Sequence, residues 1–181
     1  MDIIHSKEMK NKILYIGGFV LPDGNAAAHR VLNISNIFHE IDYKVVFFCS
    51  SRENHLDHKR NKKFLIYNRS HPYNLQTWIS YFISINDILE IINKIGIENI
   101  KAVIAYNYPS IALFRLLNFC KRKNILIIGD NTEWPHFTFN KPIKSLIKKI
   151  DISFRMRFVH QRLDGLIVIS QYLYKFYKNK L

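Results

Sequence analysis

The chain has 181 residues, of which 48% are hydrophobic and 14% aromatic, enough for one packed core and too apolar for a disordered chain. Lysine and arginine number 27 against 14 acidic residues, and the resulting charge of +13 points to an anionic partner: nucleic acid, an acidic membrane surface or a phosphorylated substrate. No apolar run approaches the length of a bilayer span, residues 1–11 are too polar for a signal peptide, and Cys49 and Cys120 form no C-x-x-C, so a cytoplasmic chain is expected.

The first organised stretch is KILYIGGFVLPDGNAAAHR, residues 12–30. Ile13–Ile16 has the length and composition of a buried strand. Gly17 and Gly18 follow where the chain must turn sharply, or alternatively where a helix must pack close to the sheet. Pro22, Asp23, Gly24 and Asn25 make a turn that ends in a good N-cap. Behind Asn25 a helix is expected, with Ala27, Val31, Ile34, Phe38 and Ile41 as its apolar stripe. A strand, a glycine turn and a helix N-terminus together can receive an anion. The glycines do not make the G-x-G-x-x-G fingerprint, and no P-loop run occurs, which argues against a nicotinamide enzyme and a nucleoside triphosphatase.

Further along, Lys44–Cys49 reads as a second strand, residues 50–63 as an exposed charged loop, and Phe64–Tyr67 as a third strand. Residues 70–78 read as an irregular, aromatic crossover, and Ile79–Ile95 as one helix closed by Gly96. Lys101–Tyr106 is a fourth strand, Pro109 opens a helix whose apolar face lies in Ile111–Cys120, and Ile125–Gly129 is a fifth strand ending at Asp130. A long basic helix is expected from Pro142 to about Arg162, then a sixth strand over Gly165–Ile169 and a last helix capped by Ser170. Strands alternating with amphipathic helices predict an α/β fold: a Rossmann-like, doubly wound parallel sheet with helices on both faces and no internal repeat.

Ligands in such sheets lie beyond the carboxyl ends of the strands. By this assignment Gly17–Asn25, Tyr106–Tyr108, Asp130–Trp134 and Ser170–Gln171 converge there. His29, His136 and His160 share no ligand spacing, and His55 and His58 lie in a charged loop, so no metal site is expected.

Taken together, GGFVLPDGNAAAHR, GDNTEWP and RLDGLIVISQYLYKFY resemble, in that order, stretches of the N-terminal domain of a family 4 glycosyltransferase of the two-domain GT-B type, from bacterial polysaccharide assembly. The resemblance implies transfer of a sugar from a nucleotide sugar to a saccharide or lipid-linked acceptor with retained anomeric configuration. This domain would mainly hold the acceptor and bind no cofactor alone, the nucleotide sugar being co-substrate of the complete enzyme. The Gly17-Gly18 loop would approach the donor diphosphate and acceptor, and Asp130 and Glu133 would line the acceptor side and assist deprotonation. Substrate contacts are expected at Gly17, Gly18, Asp23, Asn25, Arg30, Asn107, Thr132, Trp134 and Ser170. Plainer roles stand beside these: a strand-end turn or cap for Asp130, a core position for Trp134 and a solvated helix arginine for Arg30. The family's second, donor-binding domain, with its E-x7-E segment, is not among these 181 residues, so half a cleft and negligible transfer by the isolated chain are expected.

In the basic helix, Ile143, Ile147, Ile150, Phe154 and Phe158 recur at helical spacing, flanked by Lys144, Lys148, Arg155 and Arg162. Such a helix lies in an anionic membrane interface, here the inner face of the plasma membrane, or packs its stripe on the sheet and leaves its charges in water. The second arrangement is preferred for the stripe itself, with the cations acting at longer range. Two rival classes remain, a basic nucleic-acid-binding module and a non-catalytic partner subunit of a split transferase. No helix-turn-helix, zinc-finger, RNP or OB signature supports the first.

Overall fold

The computed structural model describes residues 10–51, 58–60, 63–70, 72–135 and 142–178; side chains of 51, 58–60 and 142–144 are not described. Seven strands form one sheet: β1 (Lys12–Gly17), β2 (Lys44–Ser51), β3 (His58–Arg60), β4 (Leu65–Ser70), β5 (Ile100–Tyr106), β6 (Leu126–Asn131) and β7 (Gly165–Val168), in the order β3-β4-β2-β1-β5-β6-β7. Every pairing is parallel except that of β3 with β4 at the edge. The fold is a Rossmann-like α/β sheet with helices on both faces.

Alternate residues of each strand serve opposite faces, as the pleat requires. Ile13, Tyr15, Val45, Phe47 and Ile104 pack with Val31 of α1 (Ala26–Glu40). Leu14, Ile16, Val46, Phe48 and Val103 pack instead with α3 (Asn86–Ile95) and α4 (Ser110–Arg122). Both faces are therefore covered, and the central strands are apolar at nearly every position.

Several elements depart from the expected ones. Ser50 and Ser51 complete β2, and His58–Arg60 forms the antiparallel edge strand inside the segment read as a loop. The third expected strand lies slightly later, over Leu65–Ser70. The helix expected over 79–95 is two helices, α2 (Leu75–Ile83) and α3, and α2 takes in part of the stretch read as irregular. Ser84 breaks it with an extended backbone, its Oγ accepts the Asn86 N–H at 3.2 Å, and Ile85 turns into the core. Strand β6 extends through Asp130 and Asn131. Ile41 and Ile111 face solvent.

The basic helix begins as α5 (Pro142–Phe154) and continues through a π turn at Arg155–Val159 and a 3-10 turn at His160–Arg162. Its buried side is Ile152, Arg155, Met156 and Val159, while Ile147, Ile150 and Phe154 of the expected stripe are exposed. The preference for a stripe packed on the sheet therefore fails for these three, while Phe158 is half-buried against the core and the Ile143 side chain lies outside the described residues. The Lys144 side chain, His55 and His136 lie outside the described residues. The last helix is α6 (Gln171–Lys178), whose Leu173 and Tyr177 bury against Ile152 and Met156.

Candidate functional site

Parallel strands end together, so the residues following β1, β5, β6 and β7 share one rim of the sheet. Within β6 the pleat sends Asp130 and Asn131 to opposite faces, and each finds a distant partner there.

On the α1 face, Arg30 holds the Asp130 carboxylate through Nη2 at 2.7 Å and Nε at 3.1 Å to Oδ1. The Tyr15 hydroxyl donates to Oδ2. Burial, then the adjacent carboxylate, push the Tyr15 phenol well above its ordinary pKa, so it remains a donor. The Asp130 side chain is 0% exposed, against 21% for Arg30. Its oxygens serve Arg30 and Tyr15, and Arg30 is the part of this triad open to a ligand.

Beside it, Asn107 and Thr132 join the tips of β5 and β6. Thr132 donates its N–H to Asn107 Oδ1 at 3.0 Å, and Asn107 Nδ2 donates to Thr132 Oγ1 at 2.7 Å. Asn107 adopts a left-handed backbone, φ 42°, which asparagine tolerates better than most residues.

On the opposite face, Asn131 Nδ2 donates to the Tyr177 hydroxyl at 3.3 Å, and that hydroxyl lies 2.7 Å from His160 Nδ1. Burial and then the charge of Arg155 push His160 down to about 3, so its ring is neutral. Glu133 receives Arg155 Nη2 at 2.8 Å and Lys148 Nζ at 3.0 Å. Burial alone would raise the Glu133 pKa, but these two cations hold it below the usual range, so the group is ionised at neutral pH. Its side chain is 27% exposed, which leaves it within reach of a ligand. Trp134 is partly exposed and packs edge-on against Tyr172 and Phe176 of α6, with centroids 4.6 and 5.2 Å away.

Arg155 does not face outward, as the basic-helix reading required. It is 1% exposed, with Nη1 donating to the Tyr108 carbonyl at 2.8 Å and Nη2 to Glu133. A buried guanidinium needs such partners, so this position is internal. Lys148 is drawn to Glu133 as well, and Arg162 folds back over the Phe158 ring at 3.7 Å. Among the described residues of this segment Lys148, Lys149, Arg157 and Arg162 are all exposed, Lys148 while paired with Glu133.

Packing, rather than a left-handed backbone, is what singles out the glycines after β1. Neither Gly17 nor Gly18 has a positive φ. A Cβ on Gly17 would lie 2.8 Å from Tyr106 Cβ, whereas one on Gly18 would meet nothing nearer than Tyr81 Oη at 3.8 Å. Phe19 is buried among Tyr15, Phe47 and Tyr106 and anchors the turn. Asn25 caps α1, its Oδ1 accepting the Ala28 N–H at 2.9 Å, so that helix-end donor is occupied. Asp23 is exposed on the loop. Ser170 Oγ accepts the Leu173 N–H at 3.2 Å, a cap for α6.

One part of the rim was nominated from sequence only at Gly18. Gly18, Ser50, Arg69, Trp78 and Tyr81 surround a cavity of about 280 Å³ at the tips of β1, β2 and β4. The strand-tip rule would have found Ser50, Arg69 and Ser70 had β2 and β4 been extended to their true ends. Among the described residues no group of three or more histidine, cysteine or acidic side chains could hold a metal ion, and no helix is long and apolar enough to cross a membrane.

No protein-family model and no curated protein matches this chain. In structure it is similar to a solved chain described as trehalose-6-phosphate from E. coli bound with UDP-2-fluoro glucose, at a TM-score of 0.49 and 11% identity, over 93% of this chain and 42% of that one. The chain spans less than half the length of that structure.

Proposed function

We propose that this chain forms the acceptor-binding half of a retaining GT-B glycosyltransferase of family 4 type, presenting a saccharide or lipid-linked acceptor to a nucleotide sugar held by a second lobe. The observation that carries this reading is the bonding of the three resembling stretches to one another. Arg30 of the first grips Asp130 of the second, and Asn131 and Trp134 of the second meet Tyr177, Tyr172 and Phe176 of the third. In this reading Asp130 is a positioning residue acting through Arg30, and Glu133 is the carboxylate that an acceptor hydroxyl reaches. Asn107, Thr132 and Trp134 shape the rim between them. The donor lobe lies on this polypeptide or on a partner.

A specific surface favours a lipid-borne acceptor. Leu146, Ile147, Ile150 and Phe154 of α5 are 50%, 39%, 59% and 42% exposed, and Lys149 and Arg157 are exposed on the same segment. Apolar side chains beside cations fit an anionic lipid interface.

Ligand-observed NMR on the purified chain tests the main reading, with a panel of oligosaccharides, UDP-glucose and duplex DNA. Saccharides are expected to bind, and no sugar is expected to be transferred by the chain alone. Strong nucleotide-sugar binding without saccharide binding, robust transfer by the chain alone, or a steeply salt-dependent DNA shift with no saccharide response would overturn it.

A further inference from the structure

The cavity bounded by Gly18, Ser50, Trp78 and Tyr81 continues past Arg69, Ser70 and Pro72 into a second hollow of about 240 Å³ that reaches Thr77, Ser80 and Asp87. Arg69 stands between the two. Its side chain is 16% exposed, and its guanidinium carbon lies 4.9 Å from the Tyr81 ring centroid, a cation–π contact that helps hold the head group in place. Among the described residues its polar partners are both distant: Nε to Asp87 Oδ2 at 3.4 Å and Nη1 to the Tyr108 hydroxyl at 3.4 Å. The Asp87 side chain is 51% exposed, so it is a solvated counterion rather than a buried clamp.

A planar cation held in place, with only a loose anion beside it, is arranged to take a carboxylate or phosphate in two parallel hydrogen bonds. The walls add what an anion alone does not need. Trp78 and Tyr81 supply flat apolar area, and the hydroxyls of Ser50, Ser70 and Ser80 supply donors and acceptors. Gly18 leaves the space between the strand tip and Tyr81 open.

We infer that this groove binds a saccharide carrying an anionic substituent, carboxylate or phosphate, with Arg69 as the residue that selects for the charge and Asp87 as the resident anion it displaces. The inference rests on the acceptor-binding reading and names the acceptor's chemical class.

The test is titration of the full chain, followed by NMR, with glucose, glucuronic acid, glucose 1-phosphate and inorganic phosphate. One or both anionic sugars should bind about tenfold or more tightly than glucose, as a charge-assisted pair allows, and the arm that responds identifies the substituent. Arg69→Gln should remove the preference for the anionic sugars over glucose. Trp78→Ala should weaken every sugar and leave inorganic phosphate alone. Asp87→Asn, a surface change that folds regardless of the other variants, should tighten the anionic sugars several-fold. Equal binding of glucose and the anionic sugars, preference retained in folded Arg69→Gln, or no tightening in Asp87→Asn would overturn the inference. So would phosphate binding as tightly as the anionic sugars. If all saccharides bind without charge preference, this inference fails and the acceptor reading stands. If anionic sugars bind here but added donor lobe never yields transfer, the reverse holds.

Discussion

Arg30, in the second turn of α1, lies against Asp130 at the end of β6, and its Nη2 and Nε both donate to one carboxylate oxygen, at 2.7 and 3.1 Å. With the Tyr15 hydroxyl on the other oxygen, the pair fixes the first helix over the strand tips that carry the rim. Breaking one side of so buried a pair leaves a charge uncompensated. Asp130→Asn and Arg30→Gln should each lower stability by about 3 kcal/mol. The double variant should cost clearly less than the sum, measured by urea unfolding as a double-mutant cycle.

His160 gives a pH dependence. In the unfolded chain it titrates near 6.5, whereas burial first and Arg155 second hold it at about 3 in the folded protein. Its contribution is fully present above pH 6.5 and is lost as pH falls, because the unfolded state takes up a proton that the folded state refuses. Between pH 6.5 and 5 the loss should be roughly 2 kcal/mol, and His160→Gln should flatten it. Glu133, whose pKa is lowered, adds a second loss at more acidic pH, below the ordinary carboxylate range. Stability curves over pH 2.5 to 7.5, recorded with and without His160→Gln, separate the two.

Helix α4 begins at Ser110 after Pro109, which provides no side-chain cap. Asp151 of α5 supplies one from outside, its Oδ1 accepting the Ser110 N–H at 2.9 Å and hydroxyl at 2.7 Å. Asp151→Ala should cost about 1 kcal/mol, while Asp151→Asn, which keeps an acceptor oxygen, should cost less. Thermal unfolding followed by circular dichroism measures both.

The two glycines after β1 should respond differently to alanine. Gly17→Ala drives a methyl into Tyr106 and should destabilise by about 1–3 kcal/mol. Gly18→Ala has room and should leave stability within a few tenths of a kcal/mol, while narrowing the cavity beside Tyr81 and weakening saccharide binding. Parallel unfolding and binding titrations distinguish the two effects.

Vesicle co-sedimentation checks the lipid surface. The chain should bind phosphatidylglycerol vesicles, lose binding as salt rises, and bind phosphatidylcholine weakly. Ile150→Glu with Phe154→Glu should abolish binding with only a small loss of stability, from the Phe154 ring contact with Phe158. Equal binding to neutral vesicles would count against the proposal.

Much of the fold was legible because its signals are local. The apolar run Ile13–Ile16, the Asn25 cap and the Gly96 stop each depend on backbone sterics or on a side chain reaching its own helix end. Even Gly17 was recognisable as a special position, although the reason proved to be contact with Tyr106 rather than a turn torsion. Helical spacing failed where it admitted two answers. Ile83, Ile88, Ile91, Ile92 and Ile95 suit one long helix, and the break comes from the extended backbone of Ser84, which their spacing does not register. Helix α5 and its continuation are apolar on more than one side, so periodicity could not say which side meets the core.

What the sequence determined by itself is the alternation of strands and helices, and with it a parallel sheet whose polar strand ends share one rim, because pleat, helix period and crossover handedness leave few other solutions. The tertiary structure alone decided which charges are sites and which are supports. Arg155 turned inward to Glu133, Asp130 closed on Arg30, and Arg69 came to rest between two hollows; such pairings join residues remote in the chain, and their energy depends on the burial that folding creates.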